Sequence, residues 1–276
     1  MEIHWLADCV RYQRMTTEEL RQAFLLDSLH TSGEVRLAYV DAERAVVGFA
    51  APEERALRLP NDPLLRACCF LERRELGVLN IGGGGVVHVD GATYELDNQD
   101  CLYLGRGNVK VEFASNDAKT PAAFYLLSYP AHQSYPIALV RKQDVAPTEI
   151  GSDETCNHRS IYKYIHKDGA QSCQLVMGVT HLHTGSVWNT MPPHTHGRRS
   201  EIYLYFNVEP SQRIFHFMGP PNATRHLMLA DREAVVSPIW SIHAGVGSSA
   251  YSFCWGMGGE NQDYADMDLV AVKDLL

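Results

Sequence analysis

The stretch Met191-Pro-Pro-His-Thr-His-Gly-Arg-Arg-Ser-Glu-Ile-Tyr-Leu-Tyr-Phe-Asn-Val208 decides the reading of this chain. Its first part, His194-Thr-His196, puts two imidazoles on one face of an extended segment, because strand side chains alternate with a period of two. Its second part alternates polar and apolar residues. Glu201, Tyr203, Tyr205 and Asn207 share one face, and Ile202, Leu204, Phe206 and Val208 the other. Glu201 lies five positions past His196, an odd offset that on a straight strand aims it away from the histidines. The intervening Gly197-Arg-Arg-Ser200 is suited to the bend or bulge that turns it back.

A third imidazole is available 42 residues further on, in Ser237-Pro-Ile-Trp-Ser-Ile-His243. With 13 histidines in 276 residues an H-x-H pair proves little, since chance supplies roughly 0.6 of them, and His181-Leu-His183 is a second one. The carboxylate near the His194 pair is what distinguishes it. Three neutral imidazoles and one carboxylate suit Zn²⁺, Fe²⁺, Mn²⁺ or Ni²⁺ far better than Mg²⁺ or Ca²⁺.

Outward from this motif the chain is built of short β-rich runs punctuated by Gly, Pro, Asn and Asp. They are Leu76 to Ile81, Val86 to Val89, Cys101 to Leu104, Val109 to Phe113 and Ala122 to Ser128, then Leu175 to Leu182, Ile202 to Val208, Ile214 to Phe217, His226 to Leu229, Ala234 to Val236 and Tyr251 to Trp255. One amphipathic helix precedes them, opened by a capping-box offset between Thr16 and Glu19 and finished before Gly33. Ser160-Ile-Tyr-Lys-Tyr-Ile-His166 also alternates as a strand, with Tyr162, Tyr164 and His166 on one face, where they line a substrate mouth or, as the default reading, cover a barrel rim. The two β-rich halves share their punctuation: Arg73-Arg-Glu75 opens a strand in one, Arg198-Arg-Ser-Glu201 in the other. The expectation is an all-β fold with a minor helix, made of two related barrel or jelly-roll modules, residues 1–145 and 146–276. Gly82-Gly-Gly-Gly85 lacks the residues of a phosphate loop and reads as a flexible hairpin turn.

Composition narrows the function classes. Twenty-four basic against 33 acidic residues give a net charge of −9, and no long Lys/Arg run exists, so nucleic acid and anionic membranes are disfavoured partners. No apolar segment reaches the roughly 18 residues needed to span a bilayer, and Met1-Glu-Ile-His-Trp5 lacks the layout of a secretion signal. A cytoplasmic location is expected. The seven cysteines are an odd number without C-x-x-C spacing, which points to reduced thiols.

Gly185, His194-x-His196-x4-Glu201, Pro238 and His243 together resemble the two-part metal motif of the cupin superfamily. The block Met191 to Val208, with Leu102-Tyr-Leu-Gly-Arg-Gly107 and Pro238 to His243, is similar to the 5-keto-4-deoxyuronate isomerase family over nearly the whole chain. The resemblance implies a bicupin whose C-terminal barrel holds Zn²⁺ through His194, His196, Glu201 and His243, in a cytoplasmic homo-oligomer, often a hexamer. The N-terminal barrel departs from the pattern. Arg66-Ala-Cys-Cys-Phe-Leu71 carries no histidine, and Lys110 stands against His243, so that half is expected to be structural or concerned with subunit contacts.

The implied reaction converts a small keto-uronate, 5-dehydro-4-deoxy-D-glucuronate, to 3-deoxy-D-glycero-2,5-hexodiulosonate. The carbonyl moves from C1 to C2 as a proton leaves C2 and arrives at C1 through an enediolate. Four protein ligands fill a tetrahedron, so catalysis at such an ion requires an expanded shell or a departing ligand. Glu201, Tyr203 and Arg198 are candidate catalytic residues, with His181, His183, His216 and His226 also open as bases and Tyr205 as a phenol. Arg198, Arg199, Arg159 and Arg225 are candidates for the substrate carboxylate. An oxygen-dependent cupin enzyme and a non-catalytic sugar-acid-binding barrel remain the alternatives at this stage.

Overall fold

A computed structural model describes all 276 residues. The chain separates into two compact units that interleave along the sequence: residues 1–3, 28–146 and 164–176 form the first, and 4–27, 147–163 and 177–276 the second. This differs from a single cut at 145/146 in two places. The helical segment belongs to the second unit because Leu25–Leu26 pairs antiparallel with Ala234–Ser237 and Tyr12 donates its hydroxyl to the Met218 carbonyl at 2.8 Å. Residues 164–176 belong to the first because the Glu75 carboxylate gathers the backbone N–H groups of Cys173, Gln174 and Leu175 at 2.6 to 2.8 Å.

In the first unit a seven-stranded sheet runs in the order Glu2–His4, Val35–Val40, Ala45–Ala50, Phe124–Pro130, Arg74–Asn80, Cys101–Leu104, Ala138–Val140. A four-stranded sheet runs Leu57–Arg58, Val111–Ser115, Gly85–Val89, Ala92–Leu96. Their inner faces make one core, in which Val87, Val89 and Phe113 of the smaller sheet meet Leu76, Val78, Leu102 and Phe124 of the larger. The second unit repeats the plan. Its seven-stranded sheet runs Thr148–Ile150, Arg159–Ile165, Val176–Leu182, Ser252–Gly259, Arg199–Phe206, Ala234–Ser237, Leu25–Leu26, and its four-stranded sheet Trp188–Asn189, Ile242–Gly247, Ile214–Gly219, Arg225–Leu229. A two-stranded ribbon, His194–Thr195 with Asp268–Leu269, completes it.

The β-runs read from the sequence are strands within three residues at each end, except that the run from Tyr251 continues four residues past Trp255 to Gly259. The helix forms over Thr17–Phe24 with both halves of the Thr16/Glu19 capping box made, and it stops early because Leu25 turns extended to join the sheet. Val35–Val40 and Ala45–Ala50 escaped notice. All six residues of Ala45–Ala50 are buried, so the run shows no alternation. The four glycines make no hairpin: they link Arg74–Asn80 to Gly85–Val89, which lie in different sheets. A Cβ at Gly83 would stand 2.0 Å from the Thr120 carbonyl oxygen and one at Gly82 2.4 Å from the Ala123 nitrogen, so close backbone approach explains them. All seven cysteines are free thiols, and no helix is long and apolar enough to cross a membrane.

Candidate metal centre

Four side chains from three pieces of the second unit converge in its interior. His194 comes from the ribbon and His196 from the residue that follows it, Glu201 from Arg199–Phe206 and His243 from Ile242–Gly247, and all four are buried. The chain leaves the ribbon at Gly197-Arg198 and re-enters the large sheet at Arg199, the bend that the odd His196 to Glu201 offset requires. His194 Nε2 lies 3.1 Å from His196 Nε2 and 3.0 Å from His243 Nε2. Glu201 Oε2 lies 3.0 Å from His196 Nε2 and 2.8 Å from His243 Nε2.

This arrangement fits a divalent cation. His196 donates Nδ1–H to the Asp266 carbonyl at 2.7 Å, which leaves the Nε2 lone pair aimed at the centre, the usual orienting device for a metal-bound imidazole. Arg199 Nη2 donates to the same carbonyl at 3.2 Å. Ring nitrogens facing one another at 3.0 to 3.1 Å bring their lone pairs together unless a proton or a metal cation stands between them. Donors around a tetrahedral ion at its ordinary bond lengths stand about 3.3 Å apart, close to these four separations. An N₃O set suits Zn²⁺ or its first-row neighbours better than Mg²⁺ or Ca²⁺.

Electrostatics agree with the geometry. Burial and the neighbouring His243 ring push the His194 imidazole down to about 2, so it stays neutral and able to ligate. Burial drives the Glu201 carboxyl up, but the His243 and His196 imidazoles outweigh it and hold the group well below the ordinary carboxylate range. Burial, reinforced by Glu201, pushes the Tyr203 phenol well above its ordinary value, so this group is a neutral hydroxyl.

The centre forms part of the wall of a cavity of about 390 Å³. His194, His196, Glu201, Tyr203 and Thr190 line its polar side, and Tyr203 shares a hydrogen bond with Thr190 Oγ1 at 2.9 Å. Phe253, Trp255 and Met257 make an apolar wall, with the Trp255 indole N–H held by Thr180 Oγ1 at 3.1 Å. Arg159 and Ile161 enter from the strand Arg159–Ile165, and Tyr264 from the segment after Gly259.

The structure sorts the remaining candidates. Arg159 is the guanidinium in the cavity wall, held by the Asn157 carbonyl at 2.7 Å. Arg198 is exposed, pairs with Glu260 at 2.8 Å and is not in the wall. Arg199 lies behind His196, and Arg225 donates to the Met15 carbonyl beside the helical segment. His216 is bound to the Tyr205 hydroxyl at 2.8 Å, and His181 to Ser252 Oγ at 2.7 Å. His226 packs against Phe215 and Phe217, and His183 lies beside Glu149. None of these four imidazoles lines the cavity. On Arg159–Ile165 the face that reaches the cavity is Arg159 and Ile161, and Tyr162 and Tyr164 are not in the wall. Trp255, Tyr264 and Thr190 were missed, since single aromatics and a lone threonine carry no spacing signal.

Fold and site together define the class: a mostly β, cupin-like protein with a His/Glu cluster able to hold a metal ion. The KduI/IolB family model matches residues 25–272, and the chain belongs to that family. It is 51% identical over 275 residues, covering 100% of both chains, to the 4-deoxy-L-threo-5-hexosulose-uronate ketol-isomerase of Shouchella clausii. Among solved structures it resembles an IolB-like protein from Salmonella typhimurium, with a TM-score of 0.71, 14% identity and coverage of 90% of this chain and 96% of that one. The oxalate decarboxylase of Lactobacillus farciminis shares the fold at a TM-score of 0.61 and 10% identity, covering 90% and 88%.

Proposed function

We propose that this protein is a metal-dependent ketol-isomerase that converts 5-dehydro-4-deoxy-D-glucuronate to 3-deoxy-D-glycero-2,5-hexodiulosonate in the cytoplasmic breakdown of pectin-derived uronates. The observation that carries the reading is the full-length 51% identity to a relative bearing the ketol-isomerase name. In this reading the chain is a bicupin and a homo-oligomer, a hexamer by family resemblance. Residues 1–145 supply the helix and a cupin-like barrel without metal ligands, and 146–276 the metal-binding barrel.

His194, His196, Glu201 and His243 hold the ion, Zn²⁺ in the first instance, with Fe²⁺, Mn²⁺ and Ni²⁺ compatible with the same donors. When bound, such an ion supplies a Lewis acid beside the carbonyl that migrates. Arg159 receives the substrate carboxylate, because its guanidinium is the cation of the cavity wall and carboxylates pair bidentately with that fork. Tyr203, kept neutral, donates its hydroxyl to the oxygen on which negative charge develops, with Thr190 Oγ1 fixing its direction. Phe253, Trp255 and Met257 exclude water from the carbon skeleton while the proton passes from C2 to C1.

An NMR time course in D₂O with freshly prepared 5-keto-4-deoxyuronate, run on metal-analysed protein beside a chelated control, tests this. The expected result is metal-dependent formation of the 2,5-diketo acid. Fully metallated protein that converts nothing overturns the assignment.

A further inference from the structure

A second cluster of metal-ligating side chains lies apart from the cavity, at the edge of the same seven-stranded sheet. Glu149 sits on the edge strand Thr148–Ile150, which is exposed along its whole length. His158 immediately precedes Arg159–Ile165, and His183 immediately follows Val176–Leu182. One donor atom from each lies within 4.8 Å of the others. Glu149 Oε2 is 3.1 Å from His183 Nε2 and 3.6 Å from His158 Nε2, and the two rings stack at 4.1 Å with an 18° tilt.

The surroundings orient these donors. Asp153 Oδ1 stands 3.0 Å from His158 Nδ1, so that nitrogen carries the proton and Nε2 presents its lone pair toward Glu149 and His183. Ser160, the register partner of Glu149, donates its hydroxyl to Oε1 at 2.7 Å and leaves Oε2 facing the imidazoles. A ligating histidine backed by a carboxylate, a second histidine and a pinned glutamate is the donor pattern of a transition-metal site with three protein ligands.

We propose that Glu149, His158 and His183 form a second divalent-metal site, of the Zn²⁺ or Ni²⁺ class, separate from the centre around Glu201. Two imidazoles and one carboxylate select against Mg²⁺ and Ca²⁺, and three protein donors leave at least one position to water. The ion ties together three chain segments that at present meet only at a sheet edge, and thereby fixes Thr148–Ile150. Ile150 and Gly151 belong to the cavity wall, so the site secures one side of the entrance to the reaction chamber.

Equilibrium dialysis of metal-stripped protein against micromolar free Zn²⁺, with metal counted per chain, tests the site independently of the core centre. Wild type is expected to take up two equivalents, the double variant Glu149→Gln/His183→Ala one, and His194→Ala/His243→Ala one. A wild type that takes up a single equivalent, lost in Glu149→Gln/His183→Ala, supports this site and counts against the core centre instead. Long-range ¹H–¹⁵N spectra of the intact wild type provide a readout that needs no variant, with the His158 and His183 Nε2 signals shifting as Zn²⁺ is added. Uptake unchanged in Glu149→Gln/His183→Ala, or imidazole signals that stay in place through the titration, overturns the proposal.

Discussion

Leu76 occupies in the first unit the strand position that Glu201 holds in the second. Arg74 pairs with Pro130, the last residue of its neighbour, as Arg199 pairs with Gly259, the last of its own. Two residues on, Leu76 pairs with Leu104 and Glu201 with Ser237, again the last residues of matching strands. The place of Glu201 is thus filled by an apolar side chain. Glu75, which the Arg-Arg-Glu pattern sets against Glu201, is one position out of register and on the other face. There it takes backbone N–H bonds from residues 173 to 175 and the Tyr103 hydroxyl at 2.8 Å.

Glu75→Gln is therefore a stability variant. The carboxylate is fully buried and accepts four hydrogen bonds, and an amide in its place turns an N–H₂ toward backbone donors. The expected loss is about 2 to 4 kcal/mol, read as a shift of the urea midpoint. A shift worth less than about 0.5 kcal/mol would mean that the 172–175 segment is anchored elsewhere.

Much of this was legible because a strand whose polar residues face a site keeps its period-two alternation even when both faces are buried, as in Arg199–Phe206, where Glu201 and Tyr203 both reach the cavity wall. Two kinds of information were not. Face assignment fails when the register slips by one residue, which is how the Arg-Arg-Glu pattern sets Glu75 against Glu201. Long-range placement is also invisible in a local pattern. Nothing near Leu25 or Cys173 in the chain announces the strand or carboxylate that binds it, and Arg198, next to the decisive motif, points away to Glu260.

His243→Ala removes one of four donors from the core centre. Core metal and turnover are expected to fall together, activity by at least about 10²-fold. Metal analysis beside the isomerase assay checks this, and a variant that keeps both would show that the ligands are other residues.

Tyr203→Phe deletes a single hydroxyl that faces the cavity and keeps the ring against Phe253, whose centroid is 4.7 Å away. The metal content and melting temperature should hold while kcat falls about 10²-fold with KM little changed. A rise in KM at constant kcat would instead make Tyr203 a binding group.

Arg159→Met should raise KM for the keto-uronate by about 10- to 100-fold, the worth of a charged hydrogen-bonded pair. Arg159→Lys should recover only part of this, because an ammonium cannot offer the two parallel N–H groups of a guanidinium. Steady-state kinetics distinguish this from a purely structural role, in which the two variants would lose stability without a change in KM.

Acid lability of the metal-free protein follows from its buried imidazoles. Burial pushes His216 down to about 3 and His194, beside His243, to about 2, against an ordinary value of 6.5. Both folded values lie below the unfolded one, so the unfolded chain binds more protons as the pH drops and the folded state loses stability below about pH 6.5. From pH 7 to 5.5, above the titration of ordinary carboxyls, each imidazole is expected to account for about 1 kcal/mol. His216→Gln should remove its share of that slope in urea titrations at the two pH values. An unchanged slope would place the acid sensitivity in other groups, and loss of the whole slope would leave none to His194.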